Sequence, residues 1–319
     1  MLAYTIRRMM ILVLMLFVLT FLIYLALDLT PGDPVSYMIS PDQYASMDKA
    51  QLEALREALG LNDPFIVRYF RWLINVLKGN FGYSLSSGVA IKDIVMARLS
   101  ATLELSSVAL LISTIFGILF GTISALKRGS ILDNTLTVFG MLGLSVPVFI
   151  FGLIAILIFA IQLKWLPVGG RLLPQYTSFW QHLPHLIMPA FVLSWYFTAG
   201  VMRYARASML DVMNRDFIKT ARSKGLPEWR VNYIHGLRVS IIPVVVLIGF
   251  RLPILVGGTV IVEEVFQWPG IGREFVDAVQ AQNYPLIMMI AFLTTFAVLL
   301  VSFLIDLLTA LLDPRVKLE

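Results

Sequence analysis

Apolar residues come in long unbroken runs along this chain, and polar residues are gathered into the gaps between them. The runs fall at 9–27, about 100–126, 134–162, 186–204, 240–262 and 286–311. Each has roughly 18 residues or more, enough at about 1.5 Å per residue to cross a hydrocarbon core of about 30 Å. The pattern predicts six transmembrane helices in an all-α polytopic fold, with both chain ends on one side. The first run follows Arg7-Arg8 and is too long for the core of a cleavable signal. Ala26-Leu27-Asp28 also leads into Thr30-Pro31-Gly32-Asp33-Pro34 without a small-residue exit, so this run reads as an uncleaved helix.

The gaps carry structure of their own. Asp48 with Gln51 three residues on resembles a capping box, Leu52, Leu55 and Leu59 line one face, and Gly60 supplies a stop. Asp63 then caps a second helix with Pro64 at its first position, and Phe65, Tyr69, Trp72, Leu73 and Leu77 form an apolar stripe ending near Gly79. A small helical cap on the outer surface is expected, either covering the spans or offering a dock to a partner. After the fifth run, Gln267 to Gly272 reads as a turn. Arg273 to Gln282 reads as a short amphipathic helix with Phe275, Val276 and Val279 on its buried side. The expected division is a first transmembrane helix (1–28), an extracytoplasmic helical insert (29–98), a five-helix membrane domain (99–312) with a cytoplasmic loop at about 205–238, and a tail (313–319).

Composition changes the picture by excluding a soluble protein: 58% of residues are hydrophobic and 14% charged, against about 25% charged in soluble domains. With no cysteine there is no disulfide framework and no cysteine-based metal or redox site. The net charge of +5 orients spans and is no argument for nucleic acid. Basic residues concentrate at Arg7, Arg8, Lys127, Arg128, Arg315, Lys317 and the Arg203 to Arg238 segment, which predicts that this side, with both termini, is cytoplasmic. The short opposite connections hold Lys164 and Arg171 in one case, and Arg273 among Glu263, Glu264, Glu274 and Asp277 in the other. The long segment between Asp28 and Arg98 does not vote, because loops beyond about 60 residues cross regardless of charge.

Between Arg203 and Arg238 eight Lys or Arg stand against three acids, with good helix formers up to Lys224 and a break at Gly225-Leu226-Pro227. Helix, tight turn and second helix follow, since Gly tolerates positive φ and Pro suits a helix start. By charge count alone this is an ordinary basic inner loop. The spacing says more: Lys219-Thr220-Ala221, three residues and Gly225 resemble the cytoplasmic EAA loop of ABC importer permeases, in the variant of the oligopeptide/dipeptide branch. The resemblance extends along the chain through Thr30 to Pro34, Gly79-Asn80-Phe81-Gly82-Tyr83-Ser84, Ala101-Thr102-Leu103-Glu104-Leu105, Trp268-Pro269-Gly270-Ile271-Gly272 and Leu311-Leu312-Asp313-Pro314-Arg315. Where the broad consensus continues to Ile-x-Leu-Pro, this chain reads His235-Gly236-Leu237-Arg238, as in the peptide branch.

The resemblance implies a permease in the inner membrane of a prokaryote, paired with a second, homologous permease subunit. It implies two cytoplasmic ATP-binding subunits, which hold ATP and Mg, and an extracytoplasmic solute-binding protein. Asp216, Lys219, Thr220, Ala221, Gly225, Leu226 and Trp229 are then the ATPase-coupling residues. By its own composition the turn at Trp268, Pro269 and Gly270 either caps the outer mouth of the pathway, near where a binding protein would dock, or belongs to an interfacial helix anchored by Trp268. Peptides are the expected substrate, with nickel or oligosaccharides left open. No G-x-x-x-x-G-K-[ST] occurs, so this chain lacks the loop that cradles nucleotide phosphates, and it carries no cofactor of its own.

Ionisable residues inside spans each cost about 2.5–3.5 kcal/mol at a helix centre and are functional candidates. Arg251, ahead of Pro253 and Gly257-Gly258, either lines the pathway or a gate or pairs structurally. Glu104 and Asp306 read as snorkelling or ion-paired groups, and His182 and His185, beside Pro184, as loop residues and not a metal site. The spans offer no grouping of nucleophile, base or metal ligands, so no catalytic residue is expected and the chain does not read as an enzyme. An ion-coupled secondary transporter would want intramembrane carboxylates or His relays, which are sparse here. A non-transporting scaffold is the other reading, and neither explains the basic turn.

Overall fold

The computed structural model describes residues 2–30, 35, 39, 41–58, 61–84, 86–171 and 178–312, excluding the side chains at 2, 3, 41, 252–258 and 308–312. The expectations at 31–34, at Leu59-Gly60 and for 313–319 therefore lie outside the described residues, as do the side chains of Pro253, Gly257 and Gly258.

The described residues are helical, and their only β-type pairing is an isolated bridge between Tyr83 and Ala90. In chain order the helices are α1 (Leu2–Asp28), α2 (Pro41–Ser46), α3 (Lys49–Ala58), α4 (Phe65–Leu77), α5 (Ile91–Leu126), α6 (Ile131–Ser145), α7 (Val148–Ala155) and α8 (Phe179–Met213). They continue as α9 (Asp216–Ser223), α10 (Arg238–Gly258), α11 (Val260–Val265), α12 (Ile271–Gln280) and α13 (Tyr284–Leu312). Wide π-type turns extend α7 over Ile156–Gln162 and precede α10 over Arg230–Leu237.

Among the described residues five helices are long and apolar enough to cross a membrane, and α6 with the α7 segment makes a sixth span if the two are taken together. The run at 134–162, expected as one span, is bent: its two helices meet at 107° between Ser145 and Val148. Proline accounts for it. Pro147 has no N–H to continue the helix and disfavours helical geometry in the residue before it, so Val146 sits extended at ψ 125.

Backbone packing divides the chain into two compact units, Met1–Ser100 with Gly270–Glu319, and Ala101–Pro269. In the first unit α1 packs on α13, and Arg8 pairs with Asp306 at 2.8 Å, the structural reading expected for Asp306. Asp48 and Gln51 form the expected capping box, each backbone N–H donating to the other's side chain at 2.9 and 2.7 Å. Asp63 departs from expectation. Pro64 precedes the first turn of α4 without a side-chain cap, and the Asp63 carboxylate accepts from Arg71 Nη2 at 2.6 Å instead.

The insert is more than an outer cap. Tyr69 of α4 is fully buried against α1, its hydroxyl 2.9 Å from Thr20 Oγ1 and donating to the Phe17 carbonyl at 3.2 Å. Phe17, Phe21 and Tyr24 ring it at centroid distances of 5.6, 5.3 and 5.6 Å. α4 thus lies along the apolar stretch of α1, not beyond its end. Its other side, Ile66, Phe70, Ile74 and Leu77, is apolar and exposed, as in a helix that meets lipid on one face and protein on the other. α4 closes at Gly79 (φ +78), where Gly79 N–H donates to Val76 O and Asn80 N–H to Asn75 O, both at 2.9 Å.

In the second unit α8 is central, packing on α6, α7, α10 and α11. Small residues let α5 approach it: a Cβ at Gly121 would fall 2.7 Å from the Ala205 Cβ, and one at Gly117 2.6 Å from Val201 Cβ. Close approach is what holds helices together in lipid, where apolar burial alone offers no advantage.

Candidate functional site

The C-terminal end of α8 carries the coupling candidates. α8 ends at Met213, Arg215 turns the chain, and α9 begins at Asp216, whose carboxylate suits the positive end of a helix. At the other end Gly225 takes φ +74, Gly225 N–H donates to Arg222 O at 2.9 Å, and Leu226 N–H reaches back to Ala221 O at 3.4 Å. This is the exit that a glycine makes cheaply and other residues do not. Pro227 then starts the next turn, its carbonyl accepting from Arg230 and Val231 at 2.9 and 3.2 Å.

The expected coupling residues divide between two faces. Ile218 and Ala221 are buried with Val212 and Val231, with Met213, Leu226 and Val239 packed around them, so one side of α9 is pinned to the end of α8 and to the approach to α10. Ala221 and half-buried Leu226 are seats, not contact surface. Asp216, Lys219, Thr220, Gly225 and Trp229 are exposed. Lys219 reaches Asp216 at 2.9 Å with both side chains in solvent, a pair of little energetic weight. Arg222 brackets the turn by a double contact to Glu228, at 2.9 and 3.3 Å, and Arg230 stacks over Trp229 at 5.2 Å. Gly236 admits α8 closely, since a Cβ there would lie 3.0 Å from Met209 Cε and 3.1 Å from Met213 Sδ.

A buried ion cluster just above this element was not read from the sequence. Asp133, 4% exposed at its side chain, accepts from Arg206 Nε and Nη2 at 2.9 Å each, from Gly129 N–H at 2.9 Å, and from Ser124. It clamps the end of α5 and the start of α6 to α8. The sequence signal was modest: Ser130 followed by Asp133 marks a helix start, and Ser130 does accept the Asp133 N–H at 3.2 Å.

At the other end of the same unit Glu104 is held by Arg171, whose Nε and Nη2 donate to Oε2 at 2.8 and 2.6 Å. His182 sets Nε2 2.6 Å from Glu104 Oε1, and Nδ1 2.8 Å from the Arg171 carbonyl. The structural reading of Glu104 holds. The reading of His182 and His185 as loop residues is corrected. Ser178 and Gln181 cap α8 so early that both histidines lie within the helix, with Pro184 and Pro189 accommodated inside it. His185 Nδ1 faces the Gly169 carbonyl at 2.8 Å.

Trp268, a docking candidate by sequence, packs inward. It is fully buried, its Nε1–H donates to Ala101 O at 2.9 Å, and Arg171 stacks over it at 5.8 Å. Pro269 is half-buried and Gly270 buried, so the exposed part of this turn is Gln267 (φ +50). Glu263 is fully buried and accepts from Thr102 Oγ1 at 2.6 Å. Trp268→Phe should keep the ring packing and lose one buried hydrogen bond, lowering stability by about 1–2 kcal/mol, read as an earlier thermal midpoint in detergent. In the first unit, α12 buries Ile271 and Ala278 and half-buries Phe275, while Val279, expected on the buried face, is 48% exposed.

Arg251 lies on α10, half-buried, with Nη1 3.5 Å from the Phe197 carbonyl and the guanidinium 5.9 Å from the Phe197 ring. Structural pairing with a carboxylate is not seen among the described residues.

Two family models together cover nearly the whole chain. One, described as binding-protein-dependent transport system inner membrane component, matches residues 117–318, and the N-terminal model of such membrane components matches residues 1–106. The oligopeptide transport system permease protein AppB of Bacillus subtilis is 39% identical over 99% of each chain. The di/tripeptide transport system permease protein DppB of Pseudomonas aeruginosa is 36% identical over 99% of each. The glutathione transport system permease protein GsiC of Escherichia coli K12 is 34% identical, again over 99% of each. With its apolar helices and basic turn in place, the chain belongs to the binding-protein-dependent transport system inner membrane component family, the permease subunits of ABC importers.

Proposed function

We propose that this chain forms one half of a peptide-translocating pathway, driven by ATP hydrolysed on two separate cytoplasmic subunits and supplied by an extracytoplasmic solute-binding protein. A second permease supplies the other half. The observation that carries the reading is α9: its apolar side is fixed to the end of α8, while Asp216, Lys219, Thr220 and Trp229 remain on the surface. A short helix anchored on one face and free on the other is suited to sit in a cleft of a partner. Closure of the ATPases then moves α9 as a rigid body, and α8 carries the movement into the membrane, an alternating-access switch. Peptides are favoured because the relatives are named for oligopeptide, di/tripeptide and glutathione transport. ATP and Mg belong to the partner subunits, and α9 and both termini face the cytoplasm of a prokaryotic cell.

The test is uptake by the complex reconstituted in proteoliposomes with its ATPases, second permease and binding protein. A labelled tripeptide is expected to accumulate only with ATP and binding protein. Accumulation that follows an ion gradient without ATP, or movement of nickel or an oligosaccharide but no peptide, overturns the proposal.

A further inference from the structure

Several arginines of the second unit pair with carboxylates. Arg206 meets Asp133 with two nitrogens, and Arg171 meets Glu104 with two. Among the described residues Arg251, like Arg128, Arg203, Arg230 and Arg238, meets no carboxylate within ion-pair distance, and of these five it lies well inside an apolar run. Arg251 has five N–H donors to satisfy, and among the described residues it makes a long contact to the Phe197 carbonyl and lies over the Phe197 ring. Tyr196, Gly200 and Arg203 fall four and three residues apart, on one face of α8.

Gly200 makes the space. A Cβ there would lie 2.7 Å from both Cζ and Nη1 of Arg251, so only glycine lets the guanidinium rest against α8 in this position. The place is deep. Arg251 is ten residues beyond Ile241, where the apolar run of α10 begins; at about 1.5 Å per residue this is roughly 15 Å, half of a core of about 30 Å. A lipid phosphate, held at the membrane surface, is poorly placed to reach it. Arg251, with no carboxylate partner among the described residues at this depth, keeps a place for an anion.

We propose that Arg251 is a specificity site of the pathway that binds the free C-terminal carboxylate of the passing peptide. The planar guanidinium offers the two-pronged geometry that a carboxylate accepts. The assignment rests on the peptide reading above. It goes further in placing part of the selection in the permease and not only in the binding protein.

The test compares a tripeptide with its C-terminal amide in the reconstituted complex, each at a concentration that saturates the binding protein. Wild type is expected to carry the free acid at least tenfold faster than the amide. Arg251→Gln should bring the ratio near one by lowering free-acid transport, and Arg251→Lys should retain part of it. Gly200→Ala, which displaces the guanidinium without removing charge, should also lower the ratio. The ratio is read within each complex, so poor assembly scales both peptides together and does not mimic the effect. An Arg251→Gln complex with the wild-type ratio overturns the proposal. So does failure of Arg251→Gln, but not of Arg251→Lys, to assemble with the second permease, which would make Arg251 a subunit contact. A ratio that changes only with the anionic lipid content of the vesicles assigns Arg251 to lipid and also overturns it. If wild type carries neither peptide, the peptide reading falls and this proposal with it.

Discussion

Asp133→Ala is expected to lower stability by about 3–5 kcal/mol, the range for breaking a buried ion pair by removing one partner. The carboxylate accepts two bonds from Arg206, one from Gly129 N–H and one from Ser124. Its removal leaves Arg206, 30% exposed at its side chain, without its carboxylate partner, the bond from Nε to the Ser124 hydroxyl at 3.0 Å remaining. The check is the thermal midpoint and the yield of monodisperse complex in detergent. Removing the charge on the other side as well, in Asp133→Ala with Arg206→Met, should recover most of the loss, because the cost lies in the stranded cation and not in the absence of the pair. An Asp133→Ala complex as stable as wild type would remove this clamp from the account.

Gly225→Val is expected to leave the membrane helices folded and to reduce ATP-driven transport about tenfold or more. Gly225 has φ +74 and no atom within 4 Å of an added Cβ, so the penalty comes from the backbone and not from a clash. A left-handed residue costs roughly 1–2 kcal/mol, and more for a β-branched side chain. α9 has eight residues and a small buried face, so it has little local stability to meet that cost. The turn rearranges, Leu226 leaves its seat, and the ATPases hydrolyse ATP without moving the spans. The measurement is the ratio of peptide moved to ATP hydrolysed. Gly225→Ala should show a smaller loss in the same direction.

Much of this was legible because local chemistry acts over few residues. Gly225 and Pro227 punctuate α9 as their φ preferences require, and the Asp48/Gln51 pair caps α3 from three residues apart. What was missed depends on distant partners. Asp133 and Arg206 are 73 residues apart, and Thr102 and Glu263 are 161 apart. Nothing in either neighbourhood indicates which buried group it meets. Two signals were present and under-read. The run at 134–162 is longer than one span needs and contains Pro147, where the chain bends. α4 is apolar on both sides, with Ile66, Phe70 and Ile74 opposite the stripe at Tyr69 and Trp72, which fits a helix among lipid and spans better than a surface cap. Trp268 shows the converse: an aromatic in an outer turn suggested a surface, whereas its indole closes the inside of that turn.

The central claim is that the exposed face of α9 sits in the ATPase. The chain has no cysteine, so a single introduced one has no background within this subunit. Lys219→Cys and Thr220→Cys, treated with a short thiol-to-amine cross-linker in the assembled transporter, should each give a covalent adduct with the ATP-binding subunit, in a yield that changes when ATP is bound. Tyr83→Cys, at an exposed position remote in sequence, should give none. Adducts at Tyr83→Cys but not at Lys219→Cys or Thr220→Cys would contradict the account.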